Sequence, residues 1–228
     1  MTRTESTDEQ AERDDARRRV VALAAIAVAA GACFARLAVA VRSRDTAEAD
    51  EAVHEATAVP EEHPVRQAAS TIAPAGKKRM YIPAAICASA GLLAAPGEQD
   101  AATLRSRGTG AGAMLLSAVA ARGLNSAFDR WLPQPPPPPS HPPDRPVFPS
   151  GHAFGPAALS LVTAYVLARE RLARPEITFP VALTVPLVLA GARMLEEKHW
   201  ASDVLGGYAG AISLSAACLA AYEAMRLE

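Results

Sequence analysis

The sequence lacks the features of several common protein classes. Only three of its 228 residues are cysteines, and they lie in separate apolar stretches without CxxC spacing, which argues against a disulfide framework or a cysteine-based metal site. We interpret Cys33, Cys87 and Cys218 as small buried hydrophobic residues. Neither sign of charge predominates, because 23 Lys and Arg oppose 24 Asp and Glu. Without a basic field to attract phosphate backbones, the chain is not expected to bind nucleic acid.

Charge is distributed unevenly along the chain. Eleven of the first 19 residues are charged, whereas six later stretches contain no Lys, Arg, Asp or Glu. These stretches are residues 20–35, 80–97, 108–121, 151–168, 177–192 and 204–222. Each is somewhat shorter than the ~20 residues that cross a bilayer, although tilt and flanking residues extend most of them. The pattern predicts an all-α protein built as a bundle of six transmembrane helices.

Two alternatives to this interpretation stay open. The six stretches could be core helices of a soluble bundle, but such helices carry a polar stripe every 3.6 residues and these mostly do not. The first stretch could be a cleaved export signal, because residues 30–32 are small and precede Cys33. The chain nevertheless remains apolar as far as Val41, which favours an uncleaved membrane anchor.

The predicted organisation has four parts. Residues 1–19 form a charged tail, residues 20–41 an N-terminal membrane anchor, residues 42–79 a polar linker and residues 80–228 the main domain. Within the main domain, residues 133–149 hold 10 of the 19 prolines. Because proline does not fit a helix interior, this segment is predicted to run extended, as a stiff loop between the third and fourth apolar stretches.

Basic residues near the ends of the apolar stretches predict an orientation in the membrane. If arginines 17–19 are cytoplasmic, six spans place several other arginines on the same side. These are Arg105, Arg107, Arg169, Arg171, Arg174 and Arg226. The Lys-Lys-Arg sequence at residues 77–79 is the exception, since it falls on the opposite side.

A first candidate site follows the proline-rich loop directly. Residues 148–152, with the sequence Phe-Pro-Ser-Gly-His, lead into the fourth apolar stretch. Ser150 is suited to cap a helix there, and Gly151 lets another group approach the backbone. The free N–H groups of the first helical turn form an anion site, which His152 would face.

A second candidate site comprises Arg193, His199 and Asp203. On a helix, Asp203 lies one turn from His199 on the same face, where its carboxylate accepts a hydrogen bond from one ring nitrogen. The other nitrogen is then free to act as a nucleophile or base, as a phosphohistidine mechanism requires. Arg193 adds a permanent, fork-shaped charge suited to phosphoryl oxygens. A surface pair or half of a metal site stays an alternative for His199 and Asp203.

Together, the two clusters resemble the motifs of the type 2 phosphatidic acid phosphatase (PAP2) superfamily. The second family motif, PSGH, is complete at residues 149–152. The third, SRxxxxxHxxxD, is matched at Arg193, His199 and Asp203, with Ala192 in place of the usual serine. The resemblance implies a membrane-bound phosphatase with six transmembrane helices. The second motif would open the fourth helix, and the third would join the fifth helix to the sixth.

The resemblance also implies a reaction. His199 attacks a phosphoryl group, Asp203 orients His199, and His152 protonates the leaving oxygen before it activates water. Ser150, the Gly151 amide, Arg193 and an upstream arginine neutralise the charge on the phosphoryl oxygens. Neither a metal nor another cofactor is expected. The implied partners are membrane lipids and a lipid phosphate or polyprenyl diphosphate substrate, hydrolysed on the non-cytoplasmic side of the cell membrane.

The first family motif, KxxxxxxRP, is not intact in this chain. Arg122 and Arg130 are the preferred replacements for its two cations, although they lie one residue too far apart and Trp131 follows instead of proline. Arg145, which precedes Pro146, is the alternative.

Three other functions stay open at this point. A vanadium haloperoxidase-like oxidoreductase would use the same residue set, but those enzymes are much longer soluble chains. A soluble periplasmic acid phosphatase would require that the first apolar stretch be cleaved and the others be core helices. An inactive membrane scaffold would account for the degraded first motif.

Overall fold

The computed structural model describes residues 2–97, 100–132 and 148–227. This part of the chain folds into eight α-helices and two short 3-10 turns, and it contains no β-strand. The α-helices are α1 (Thr2–Ser43), α2 (Ala47–Thr57), α3 (Pro64–Ile72), α4 (Tyr81–Leu93), α5 (Ala101–Trp131), α6 (Gly151–Arg169), α7 (Pro175–Leu195) and α8 (Ala201–Met225). The 3-10 turns, Ala73–Gly76 and Lys78–Met80, connect α3 to α4.

The all-α prediction is confirmed, but the predicted count of six helices is not. Each apolar stretch contributes to a different helix, namely α1, α4, α5, α6, α7 and α8. The two additional helices, α2 and α3, lie in residues 42–79, which were predicted to be a linker. Helix α2 is rich in Ala and Glu, which are strong helix formers. Helix α3 begins at Pro64, a favourable residue at the first helical position.

Four helices of the described chain are long and apolar enough to span a membrane. They are residues Arg13–Ser43 of α1, and α6, α7 and α8. Helix α4 has only 13 residues, which is about 20 Å of helix. The outer face of α7 is apolar, since Ile177, Val181 and Val188 each expose more than half of their surface. Such a face suits contact with lipid and disagrees with the soluble-bundle alternative.

The three cysteines differ in burial. Cys218 of α8 is buried, as predicted. Cys33 of α1 and Cys87 of α4 are exposed, so the prediction of burial is wrong for them. Both lie on apolar helices whose outer faces remain uncovered by other helices, and an apolar stretch alone does not reveal which of its residues face the core.

Helices α6 and α8 form the centre of the bundle. Phe154 and Val162 of α6 and Tyr222 of α8 are almost completely buried in the main hydrophobic core. The two helices approach each other closely because glycine lacks a side chain: a Cβ at Gly207 would lie 2.6 Å from the Cβ of Ala153. Small residues in α8 therefore permit close packing of the two helices.

A network of charged side chains joins three helices at one end of the bundle. Glu223 of α8 is fully buried, and its carboxylate accepts hydrogen bonds from Arg169 (2.7 Å) and Tyr165 (2.9 Å) of α6 and from Arg19 of α1 (3.2 Å). Arg226, the C-cap residue of α8, lies at the same end. Arg19, Arg169 and Arg226 are among the arginines that were predicted to share one side of the membrane.

Replacement of Glu223 by Gln is expected to lower the stability of the bundle. The neutral amide leaves Arg19 and Arg169 without their counter-charge. Because those arginines are about a third exposed, we expect a loss of about 2 kcal/mol, below the range for a fully buried pair. The loss is measured as a lower midpoint of thermal unfolding in detergent. Glu176→Gln, at an exposed carboxylate at the start of α7, is the control, and equal midpoints for the two variants would contradict the prediction.

Candidate active site

The N-termini of α6 and α8 meet at the end of the bundle opposite Glu223. The main-chain N–H of Ser150 donates a hydrogen bond to the carbonyl oxygen of Asp203 (2.9 Å). A Cβ at Gly207 would lie only 2.8 Å from the carbonyl oxygen of Ser150, so the approach depends on glycine there. This contact brings the two sequence clusters together in space.

Asp203 lies beside His199, as the spacing predicts, although α8 begins only at Ala201. Nδ1 of His199 is 3.4 Å from Oδ2 of Asp203, and both side chains are buried. The same carboxylate oxygen accepts the main-chain N–H of Trp200 (2.7 Å). Since 3.4 Å exceeds the usual N–H···O distance, the two groups are in contact without a formed hydrogen bond; such contacts often tighten when substrate binds. Because Nδ1 faces the carboxylate, Nε2 is the ring nitrogen that is left for chemistry.

His152 lies in the first turn of α6 and faces His199. The centroids of the two rings are 6.0 Å apart, with 59° between the ring planes. Gly76, the last residue of the first 3-10 turn, packs against the ring of His152: a Cβ there would lie 2.7 Å from Cδ2 of the histidine. Two imidazoles from separate clusters therefore share one site.

Arg193 lies in the last turn of α7 and interacts electrostatically with His152. Its Nη1 is 2.6 Å from Oε2 of Glu196, and both side chains are largely buried. Its Nε is buried without a hydrogen-bond partner among the described residues. Glu196, which the sequence analysis did not single out, therefore neutralises one edge of the guanidinium and leaves another edge available.

Ser150 occupies the N-cap position of α6, but its hydroxyl does not cap the helix. The hydroxyl is buried and makes no cap hydrogen bond. The carbonyl oxygen of Ser150 instead accepts the N–H groups of Ala153 (3.2 Å) and Phe154 (2.9 Å). The prediction of a side-chain cap is therefore wrong, and the hydroxyl is left for another partner.

Gly151 permits the close approach that was predicted for it, and the neighbour is Asn125 of α5. A Cβ at Gly151 would lie 2.7 Å from Nδ2 of Asn125. Asn125 is fully buried, and neither atom of its amide has a partner in the described chain. This residue could not be recognised from the sequence, because a single asparagine in an apolar helix matches no motif. Only its burial without a partner distinguishes it.

Buried polar atoms without a partner are concentrated at this site. The described residues contain nine such side-chain atoms, and seven belong to Asn125, Ser150, His152, Arg193, His199 and Asp203. A buried polar group without a hydrogen bond costs about 1–3 kcal/mol, so such groups need a specific explanation. Their concentration indicates a site for a polar ligand. No group of three or more His, Cys, Asp or Glu side chains in the described chain is arranged to hold a metal ion.

The structure does not bring the proposed first-motif arginines into contact with the two histidines. Arg122 is exposed, and its Nη1 donates a hydrogen bond to the carbonyl oxygen of Lys78 (3.3 Å). Arg130 is also exposed and lines a cleft of about 450 Å³ together with Trp131 and Phe148. Arg145 lies outside the described residues.

Lys77 and Lys78 lie at the site, although the sequence analysis treated them only as an exception to the orientation pattern. They follow Gly76, which packs against His152, and both interact electrostatically with that histidine. The ammonium group of Lys78 pairs with Asp129 of α5. The side chain of Lys77 is exposed and forms no hydrogen bond or ion pair with any residue that the structure describes.

The segment that was predicted to be a linker also contacts the site. Asp50 of α2 is buried and accepts hydrogen bonds from the main-chain N–H (2.8 Å) and the hydroxyl (2.7 Å) of Ser202. Arg66 of α3 forms an ion pair with Glu197 (2.9 Å). Helices α2 and α3 therefore hold the connection between α7 and α8, which carries His199.

Comparison with known proteins identifies the family. The model of the PAP2 superfamily matches residues 111–226, just over half of the 228-residue chain. The chain belongs to the PAP2 superfamily. The match includes Asn125 and both motif clusters, whereas the contacts from α2 and α3 lie outside it.

The fold of this PAP2 chain is similar to that of a solved family structure. The crystal structure of a transmembrane PAP2-type phosphatidylglycerolphosphate phosphatase from Bacillus subtilis aligns with a TM-score of 0.70 and 22% sequence identity, covering 85% of this chain and 94% of that one. At this identity, the likeness establishes the fold alone. Together with the apolar helices, it supports a multi-pass membrane protein. No curated protein matches the chain significantly in sequence.

Proposed function

We propose that this chain is a membrane phosphatase that hydrolyses a lipid phosphate or polyprenyl diphosphate through a phosphohistidine intermediate. The observation that carries the proposal is the pairing of His152 and His199, whose ring centroids are 6.0 Å apart. At that separation one phosphoryl group can contact both rings. Transfer of the group requires this arrangement, with a nucleophile and a proton donor held on the same substrate.

The reaction proceeds in two steps. In the first, Nε2 of His199 forms a bond to phosphorus, the bond to the leaving oxygen breaks, and His152 gives that oxygen its proton. Asp203 faces Nδ1 of His199 and stabilises the positive charge that develops on the ring. In the second, His152 takes a proton from water, the water oxygen bonds to phosphorus, and the N–P bond breaks to release inorganic phosphate.

The polar groups around the two histidines suit the oxygens of a phosphoryl group. The Arg193 guanidinium, the Ser150 hydroxyl, the Gly151 amide and the Asn125 amide can donate hydrogen bonds to them. Donors that are already oriented stabilise the charge that develops in the transition state. An incoming phosphate would compete with Glu196 for Arg193, which is 2.6 Å from that carboxylate.

Two features support a lipid substrate on the non-cytoplasmic side. An apolar cavity of about 440 Å³ between α3 and α7 reaches Ala192 and Met194, which flank Arg193, so hydrocarbon can lie beside the phosphate-binding charge. The site also lies at the end of the bundle opposite Arg19 and Arg169. Because arginines favour the cytoplasmic side, this arrangement supports a site at the non-cytoplasmic end of the bundle.

Purified protein is expected to release phosphate from long-chain phosphatidic acid or undecaprenyl diphosphate in the presence of EDTA, because the proposed mechanism uses only protein groups and water. His199→Ala should abolish turnover without unfolding the protein, since the attacking nitrogen is lost. His152→Ala should slow turnover strongly, and least for substrates with a good leaving group that needs no proton. Phosphate release under saturating substrate is the measurement.

His63→Asn, which removes an exposed imidazole but keeps a side-chain acceptor for the Val65 N–H at the start of α3, is the control and should retain activity. Each alternative function has its own result. Halide oxidation that requires vanadate would indicate a haloperoxidase. Phosphatase activity of a soluble protein from which residues 1–32 have been cleaved would indicate a soluble phosphatase. Folded protein without either activity would indicate a scaffold. Activity that is lost in EDTA and restored by Zn²⁺ would contradict the metal-free mechanism.

Alanine substitutions are expected to identify the cations that replace the first motif. The sequence proposes Arg122 and Arg130, with Arg145 as the alternative, and the geometry adds Lys77, which has no other partner among the described residues. Removal of a cation that contacts the phosphoryl oxygens should lower transition-state stabilisation by about 3 kcal/mol, or kcat/KM by ~100-fold. Removal of a surface cation should lower kcat/KM by less than about tenfold. We expect the large loss at Lys77 and the small loss at Arg130. The reverse order would restore the arginine pair as the phosphate-binding cations.

A further inference from the structure

We infer that Asp50 is a positioning residue for the proposed phosphatase reaction, an inference that rests on the proposed function. Asp50 lies on α2, in the segment between the first two apolar stretches and outside the region that the family model matches. It contacts neither histidine in the site. Its proposed role is to hold the start of α8, so that Asp203 and His199 keep their orientation.

The start of α8 needs a cap from another part of the chain. The first N–H groups of a helix have no partner within the helix, and a Ser, Thr, Asp or Asn residue at the N-cap usually supplies an acceptor. The N-cap residue of α8 is Trp200, whose side chain has no oxygen to accept a hydrogen bond. Asp50 supplies that acceptor from α2: it binds the N–H of Ser202 at 2.8 Å and the hydroxyl at 2.7 Å.

Ser202 lies within the third motif, directly before Asp203. A shift at Ser202 would therefore move the carboxylate that faces His199. The motif is fixed on its other side by the hydrogen bond from the Ser150 N–H to the Asp203 carbonyl oxygen (2.9 Å). Asp50 and Ser150 thus hold the same turn from two directions.

Other contacts show that α2 and α3 dock on the connection that carries His199. The ring of His54, on α2, meets Trp200 edge-on with centroids 5.7 Å apart. Arg66, on α3, forms its ion pair with Glu197. These contacts fix α2 and α3 against the connection, and Asp50 adds the hydrogen bonds to Ser202, directly before Asp203.

The burial of Asp50 distinguishes it from the other carboxylates of α2. Asp50 is 4% exposed, whereas Glu48, Glu51 and Glu55 are all exposed. Burying a carboxylate is unfavourable unless hydrogen bonds or charges compensate it, and the two bonds to Ser202 do so here. The N-terminus of α8 adds a favourable field for the negative charge. Asp50 is therefore buried for its contact with the third motif.

The test compares Asp50→Ala and Asp50→Asn with Glu51→Ala, the matched control on the exposed face of α2. Asparagine keeps an oxygen for the Ser202 N–H and adds an N–H₂ group for the hydroxyl, so it preserves the cap without the charge. Asp50→Ala should lower kcat by about 10- to 100-fold, because small displacements of catalytic groups have effects of that size. Its KM should stay within about twofold, since no substrate contact is lost. Asp50→Asn should restore most of kcat, and Glu51→Ala should match the wild type.

Hydrogen–deuterium exchange gives a second measurement that does not depend on turnover. The peptide that contains Ser202 should exchange faster in Asp50→Ala and stay protected in Asp50→Asn and Glu51→Ala. If the wild-type protein hydrolyses no lipid phosphate, the proposed function fails, but exchange still shows whether Asp50 holds the start of α8. Unchanged exchange in Asp50→Ala would overturn the inference, as would a normal kcat.

Ser202→Ala serves as the test if Asp50→Ala does not accumulate as folded protein. This variant removes only the hydroxyl bond to Asp50 and keeps the main-chain bond. A lower kcat at unchanged KM, together with faster exchange of the same peptide, would support the inference. A wild-type kcat and wild-type exchange in Ser202→Ala would overturn it.

Discussion

The close contact between the N-termini of α6 and α8 is the constraint on which the site depends. The hydrogen bond from the Ser150 N–H to the Asp203 carbonyl oxygen joins the two helices, and Gly207 makes their approach possible. A side chain at residue 207 would collide with Ala153 and with the Ser150 carbonyl oxygen, at 2.6 and 2.8 Å. Separation of these helix ends would move His152, at the start of α6, away from the turn that carries the other histidine.

The bundle places two different kinds of polar cluster at its two ends. At one end, Glu223 is buried but fully paired with Arg19, Arg169 and Tyr165, so its charge is compensated within the protein. At the other end, seven buried polar atoms at and around His152 and His199 lack a partner in the part of the chain that the structure describes. Polar groups within membrane-embedded bundles are costly, and those that persist are usually functional. The first cluster joins helices, whereas the second suits a ligand.

The features that could be predicted from the sequence are local ones. Stretches without charge indicate helices, and the spacing of His199 and Asp203 indicates neighbours, because both patterns depend only on nearby residues. The role of Asp50 could not be predicted in this way: it binds Ser202, which lies 152 residues further along the chain, and nothing in the local sequence of α2 distinguishes it from the exposed carboxylates nearby. The direction of a side chain is equally hidden, and the spacing of Arg122 and Arg130 does not reveal that both are exposed.

The basic residues 77–79 illustrate the same limit. As charges near the end of an apolar stretch, they could be interpreted only through the orientation rule, which they did not fit. The structure places Gly76 against His152, and this contact brings Lys77 and Lys78 to the candidate site. Tertiary packing thus gives these charges a second explanation, which the charge pattern alone could not supply.

His199 is the proposed acceptor of the phosphoryl group, and trapping of the phosphorylated intermediate tests this role most directly. Purified protein would be mixed with a lipid phosphate that carries a radiolabelled phosphoryl group, quenched with denaturant at alkaline pH during turnover, and digested for peptide mapping. Label is expected on the peptide that contains His199, in an alkali-stable and acid-labile linkage typical of phosphohistidine. Label on His152, or rapid turnover with no labelled histidine at any time point, would contradict it.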